Sequence, residues 1–478
     1  MPPRLKAVLL ALPCLLLLAD CAQNPVSGRQ DFVMMSEAQE VNVGNQADRE
    51  VKQQYALYNV NDLAKYVEQV GQKLAKQSHR GGLEYRFTLL DSAEVNAFAL
   101  PGGHVYITRG ILAYLNSEAE LAGVLGHEIG HVTARHSVRQ MSVAQGADIA
   151  LAIASIFSPA LRNQSVQSVT NILGNALLSG YGREHELEAD RLGAEYLSRV
   201  GYDTQAMIKV VGVLKNQELF DADVAKQEGR QPRPYHGLFA THPDNDTRLK
   251  QVIAEATQHG GARIDDGAGA FRAQTAGMVF GDNAQQGVIR AGSFYHEELG
   301  LALKLPEGWR IANQPDKLAM SAAGDEARLE MTSQKRPSLT PQDLVARTTR
   351  GGAGEMDVTP VDGLPAAMAI SRGRFFAVIY QGDHAYIFSG AARTPELMPR
   401  HQDAMRASVK SFHALTDAER KLARPLVVRH ITATAGTRFA ELAKSSPLGR
   451  NAEGYLRLIN AVYPAGEPKP GQTVKVIE

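Results

Sequence analysis

Two short motifs, His127-Glu128-Ile129-Gly130-His131 and Glu186-Leu187-Glu188-Ala189-Asp190, constrain this chain more than anything in its bulk composition. The first follows Ser117-Glu118-Ala119-Glu120, a capping box in which a hydroxyl and a carboxylate three residues on satisfy the free N–H groups of a new helix. The pattern predicts a helix over 118–136. On it His127 and His131 project from one face about one turn apart, the arrangement that chelates one Zn2+ at roughly 2.0–2.1 Å per nitrogen. Glu128 adjoins the first imidazole, where it can take a proton from a metal-bound water while the metal polarises a carbonyl. Glycines at 123, 126 and 130 each cost a helix about 1 kcal/mol relative to Ala. Their presence predicts that another element, or a ligand, approaches this helix closely.

An open catalytic zinc site needs a third protein donor. The segment Gly182 to Asp190 opens a second helical pattern, with Ala189, Tyr196, Leu197 and Val200 at near-helical spacing and Gly201 as its C-terminal cap. Glu186 and Asp190 share a face of it. Either can ligate the metal while the other holds the free N–H of a ligating imidazole, fixing tautomer and basicity. Glu184 and Glu188 point elsewhere if the helix is regular.

Arg4 and Lys6 precede an apolar run, Ala7 to Ala19, too short to span a bilayer but suited to an export signal, so residues 1–20 read as a cleaved signal peptide. The run closes on Leu18-Ala19-Asp20-Cys21, which resembles a bacterial lipoprotein box, with Asp20 where such boxes usually carry a small residue. The resemblance implies a lipidated Cys21 in contact with a membrane, and a periplasmic protein anchored to the outer membrane. Cys14 lies within the signal, so the processed chain has no internal disulfide. The 51 basic and 51 acidic side chains cancel, which removes the general phosphate attraction of a nucleic-acid binder.

At roughly 150 residues per domain, 478 residues call for several domains. Ser36, Glu37 and Glu40 mark a helix start. Tyr85–Leu90 and His104–Thr108 read as strands around Pro101-Gly102-Gly103. The second is expected to be an edge strand that binds an extended peptide by backbone pairing. The apolar stretch 147–178 reads as core. Residues 259–292 lack periodicity and read as a linker after a domain over 21–258. Short strands and one helix then suggest a small α+β domain over 293–415, of unknown role, in which Trp309 belongs to a turn and the core. Residues 424–478 read as a βααβ module.

The HEIGH motif and the E-x-x-x-D inside Arg183-Glu-His-Glu-Leu-Glu-Ala-Asp190 together resemble the M48 zinc metallopeptidases, closest to periplasmic, lipoprotein-like members. The likeness extends upstream to Asn96-Ala-Phe-Ala-Leu-Pro-Gly-Gly-His104 and downstream to Thr241-His242-Pro243 with Arg248. It implies a mainly helical zincin domain of gluzincin type with a small sheet, one Zn2+ on His127, His131 and Glu186, catalysis by Glu128, and orientation of a ligand by Asp190. It also makes His242 a candidate fourth ligand or inhibitory switch. Gly182 replaces the Ser that often precedes the Arg of the second motif. Arg183, His136 and His185 are further candidates around the metal or substrate. The C-terminal pattern Thr432-Ala-Thr-Ala-Gly-Thr-Arg-Phe439 is similar to a LysM module, which implies peptidoglycan binding through 424–478, although the Asp common between Gly436 and Thr437 is missing. The expectation is an α+β envelope endopeptidase acting on unfolded or misassembled proteins. The competing reading is a non-proteolytic chaperone or peptidoglycan tether with a structural or blocked zinc site.

Overall fold

The computed structural model describes residues 22–28, 30–31, 33, 35–144, 182–228 and 266–478, apart from 315, 351 and 353–354. The signal peptide, Cys21, the stretch 147–178 and the segment holding His242 and Arg248 lie outside the described residues. Two compact units divide the chain, one formed by the N-terminal part to Phe280 with Val427–Glu478, the other by Gly281–Leu426.

In the first unit, helix α1 (Glu37–Gln54) starts from the capping box of Ser36 and Gln39, and α2 (Asn61–Ala75) follows. Three strands come next: β1 (Arg86–Leu90), β2 (Ala97–Leu100) and β3 (His104–Thr108). β3 lies in the middle of this sheet, parallel to β1 and antiparallel to β2. The expectation that 104–108 is an edge strand is therefore corrected. All five of its residues are buried, as suits a strand covered on both sides. The outer side of β1 is met by the chain at 56–58, where Tyr58 N donates to Leu89 O at 2.9 Å and Asp91 N to Ala56 O at 2.8 Å. Among the described residues β2 has a strand neighbour on one side only, and it packs against the next helix.

That helix, α3 (Glu118–Thr133), carries the HEIGH motif, and α4 (His136–Ala144) follows it. Ser117 caps α3 as expected, but the Glu120 carboxylate accepts the N–H of Asn116, one residue before the cap. α5 (Arg183–Val200) ends on Gly201 in the left-handed conformation, φ 84°, and α6 (Gln205–Glu228) continues. The glycines of α3 are the reason α5 comes so near. A Cβ built on Gly126 would lie 3.3 Å from Gly193 Cα, and one on Gly123 would lie 3.3 Å from Met207 Sδ of α6.

The expected linker over 259–292 is structured in its described part, with α7 (Ala268–Thr275) and β4 (Val279–Phe280). Its Gly- and Ala-rich composition hides an eight-residue helix whose Phe271 is fully buried. The C-terminal segment has the βααβ order: β5 (Leu426–Thr432), α8 (Phe439–Ser445), α9 (Ala452–Ile459) and β6 (Thr473–Ile477), with β5 and β6 antiparallel. It is part of the first unit, because β4 adds to β5 as a third strand. Lys475 Nζ donates to Ala113 O at 2.6 Å and Leu115 O at 2.7 Å, just before the cap of α3. Phe220 of α6 packs edge-on against Tyr455, ring centroids 4.6 Å apart.

The second unit is α+β. A seven-stranded antiparallel sheet runs in the order Arg310–Asn313, Leu318–Ser321, Ala327–Lys335, His384–Ala392, Arg374–Gln381, Ala366–Ser371, Met356–Asp357. A four-stranded sheet and the helices Pro341–Thr348 and Met398–Lys410 accompany it. Phe375, Phe388, Met405 and Phe412 fill the core, and Trp309 packs against that core as the sequence suggested.

Candidate metal centre

α3 delivers His127 and His131 from one face, and α5 delivers Glu186 and Asp190 from one face, with the two helices in backbone contact between them. A Cβ on Gly193 would lie 3.0 Å from His127 N, so the separation that brings the motifs together leaves no room for side chains at the crossing. Ligating atoms of His127, His131 and Glu186 all lie within 4.8 Å of one another, and all three residues are buried. Glu186 Oε2 is 3.5 Å from His127 Nε2, Glu186 Oε1 is 3.4 Å from His131 Nε2, and the two Nε2 atoms are 2.9 Å apart.

The two Glu186–imidazole distances fit a metal, while the two Nε2 atoms stand closer together than donors around an ion do. Tetrahedral bonds of roughly 2.1 Å put neighbouring donors about 3.4 Å apart. The chemistry of the set agrees, since a carboxylate removed from water and turned toward two imidazole lone pairs is satisfied by a cation. His127 Nδ1 lies 2.7 Å from Asp190 Oδ1. With its Nδ1–H donated to that carboxylate, His127 presents the Nε2 lone pair to the centre. Of the two carboxylates the sequence left open, Glu186 is the one at the donor cluster and Asp190 the one behind a ring. Glu128 is also buried, next in sequence to His127.

The surroundings of His131 were not legible. His136 Nδ1 lies 2.8 Å from His131 Nδ1, and His136 Nε2 lies 3.0 Å from Glu188 Oε2. Glu188 was expected to point away from the site; it faces away from the donor cluster but toward His136. The hydrogen bond to His136 holds the Glu188 carboxyl down at about 2, while burial lowers His136 from its ordinary value. Arg139 NH1 reaches the same Glu188 oxygen at 3.1 Å. His185 stacks on His136 with centroids 4.4 Å apart, and its pKa is lowered to about 4, chiefly by burial. Arg183 opens α5 as an exposed residue. No helix among the described residues is long and apolar enough to cross a membrane.

Residues 61–256 match Peptidase family M48, a span that contains every residue of the donor cluster. The chain is 30% identical over 247 residues to the Beta-barrel assembly-enhancing protease of Escherichia coli (strain K12), covering 50% of this chain and 48% of that protein. It is 28% identical over 233 residues to Mitochondrial metalloendopeptidase OMA1 of Schizosaccharomyces pombe, covering 48% of this chain and 64% of that one. To the protein of the same name from Arabidopsis thaliana it is 35% identical over 186 residues, covering 38% and 33%. The chain thus spans about half the length of the assembly-enhancing proteases it matches. The matched part of the chain is thus similar to proteins named as a protease and as metalloendopeptidases.

Proposed function

We propose that this chain is a zinc-dependent endopeptidase of the bacterial cell envelope that cleaves unfolded or misassembled proteins. The observation that carries the reading is the convergence of His127, His131 and Glu186 on one point, with Glu128 on the same helix as both rings. A zinc ion held by those three residues supplies Lewis acidity toward a peptide carbonyl and toward water. Asp190 keeps His127 in the tautomer that binds. Glu128 takes a proton from the attacking water and returns it to the departing amine, so no Ser or Cys nucleophile and no acyl-enzyme are involved.

The substrate edge moves from β3 to β2. Thr108 N donates to Asn96 O at 3.0 Å, so hydrogen-bonded pairs with β3 fall at Asn96, Phe98 and Leu100. Ala97 and Ala99 then turn their N–H and C=O groups to the other side, where an extended peptide adds as a strand. Backbone pairing tolerates many sequences, which suits unfolded clients. The name of the bacterial relatives, an assembly-enhancing protease, supports a quality-control role.

Lipidation of Cys21 at the outer membrane belongs to the same proposal, supported by the lipoprotein-like box. So does peptidoglycan binding by 424–478, supported by the βααβ order; isolated sacculi should sediment the full chain. Inhibition by His242 rests on the Thr241-His242-Pro243 motif alone.

The decisive experiment compares wild type with Glu128→Gln on casein and on an unfolded outer-membrane protein. Wild type should cleave both, lose activity to a chelator and regain it with zinc, and ignore serine and thiol reagents. The Glu128→Gln variant should bind zinc and fail to cleave. Cleavage by that variant at the wild-type rate would end the proposal.

A further inference from the structure

His127 has a carboxylate behind it; His131 has another histidine. That arrangement depends on a break in the helix. α3 ends at Thr133 and α4 begins at His136, and between them Arg135 adopts φ 56°, a left-handed conformation that a side chain with a Cβ seldom takes. Arg135 is held there by α1 and the chain just before it, donating Nε to Glu40 Oε2 at 2.9 Å and NH2 to Met35 O at 2.8 Å. In an unbroken helix residue 136 would lie well round from the His131 face. The break turns its ring back onto that face.

We infer that His136 is a positioning residue for His131, fixed in turn by Glu188 of α5. The inference rests on the zinc site proposed above. If His131 binds the ion through Nε2, its hydrogen sits on Nδ1 and points at His136 Nδ1, 2.8 Å away, which must accept it. His136 then carries its own hydrogen on Nε2 and donates it to Glu188 Oε2 at 3.0 Å. Arg139 closes the chain by donating to the same oxygen at 3.1 Å. Both ring hydrogen bonds therefore run outward from His131 toward the Glu188 carboxylate, which also accepts from Arg139, and only one tautomer of each ring satisfies the set. His185, stacked on His136 at 4.4 Å, limits tilting of that ring. The same helix α5 thus supports both imidazoles, His127 directly through Asp190 and His131 through His136 and Glu188. Placement behind a ligand matters because it fixes ring orientation and raises the basicity of the nitrogen facing the ion.

The test measures zinc affinity of the full chain by competition with a chromophoric chelator, with folding checked by circular dichroism and thermal unfolding of the metal-free protein. His136→Asn keeps an acceptor where Nδ1 stands and should bind zinc within about threefold of wild type; His136→Phe keeps the stacked ring and lacks the acceptor. Its affinity should fall about 10- to 100-fold, the range for loss of a partner behind a ligating histidine. Glu188→Leu should weaken binding in the same direction, and should add little in the His136→Phe background because the two act in series. A folded His136→Phe protein with wild-type affinity would overturn the inference, as would an Asn variant as weak as the Phe variant. If His136→Phe does not fold, Glu188→Leu decides alone: unchanged affinity overturns it, loss supports it. Wild type that binds no zinc would instead refute the site itself.

Discussion

A Cβ added to Gly130 would sit 2.9 Å from the carbonyl oxygen of Ala189, so α3 and α5 meet backbone to backbone beside His131 on one helix and Asp190 on the other. The obstacle is main chain, which cannot rotate aside as a side chain can. Gly130→Ala should therefore push the helices apart despite the better helix propensity of Ala. Overpacking of this kind costs about 1–3 kcal/mol. Urea unfolding should show that loss, and the chelator competition should show weaker zinc binding. Wild-type values for both would mean that the spacing of these helices is not set at residue 130.

Zinc should stabilise the fold, because its donors come from two helices that are separate in sequence. A ligand at 100 times its dissociation constant adds about 2.7 kcal/mol to a protein that binds it only when folded. Thermal unfolding with and without a chelator should show a clear rise in midpoint with zinc. Glu186→Ala should unfold at one midpoint in both conditions; a zinc response persisting in that variant would place the ion elsewhere.

Helices and caps at the site were legible because their signals are local. Ser117, the His spacing and Gly201 each act within one or two turns, and the structure has the cap of α3, the two rings and the left-handed end of α5 where those signals put them. The glycines of α3 also announced a close neighbour without naming it. What stayed hidden depends on contacts between distant residues. Arg has no preference for positive φ, so nothing near Arg135 reveals the break that turns His136 back; its anchor, Glu40, comes from α1. The order of the small sheet was misread for a similar reason, since the five-residue run His104–Thr108 reads alike as a central or an edge strand until its partners are known.

The side of β2 that no described strand occupies gives a substrate test that leaves the metal alone. Ala99→Pro removes an N–H that, by the pairing above, does not bond to β3, and proline is tolerated on sheet edges. If substrates add to β2 as a strand, kcat/KM on casein should fall at least about tenfold, the equivalent of roughly 1.4 kcal/mol. Zinc affinity and the unfolding midpoint should hold near wild type. Unimpaired cleavage by a folded, zinc-loaded variant would move the substrate to another edge.

Lys475 ties the C-terminal strand to the turn before α3, and its environment makes that tie depend on pH. Complete burial pushes its ammonium down to about 7 from an ordinary 10.5, against the opposing pull of Glu120, whose own carboxyl is raised chiefly by burial. Between those two values the unfolded chain holds a proton on residue 475 that the folded chain has largely released. More protons bound in the unfolded state mean that stability rises with pH. The lysine's unfavourable burial is thus felt most below about pH 7 and is relieved progressively as the pH climbs toward 10.5. Lys475→Met has no such titration and leaves the carbonyls of Ala113 and Leu115 without this donor. Denaturant unfolding from pH 6.5 to pH 9.5 should then show wild type gaining on Lys475→Met as pH rises. A constant difference across that range would show that Lys475 keeps its proton in the folded protein throughout.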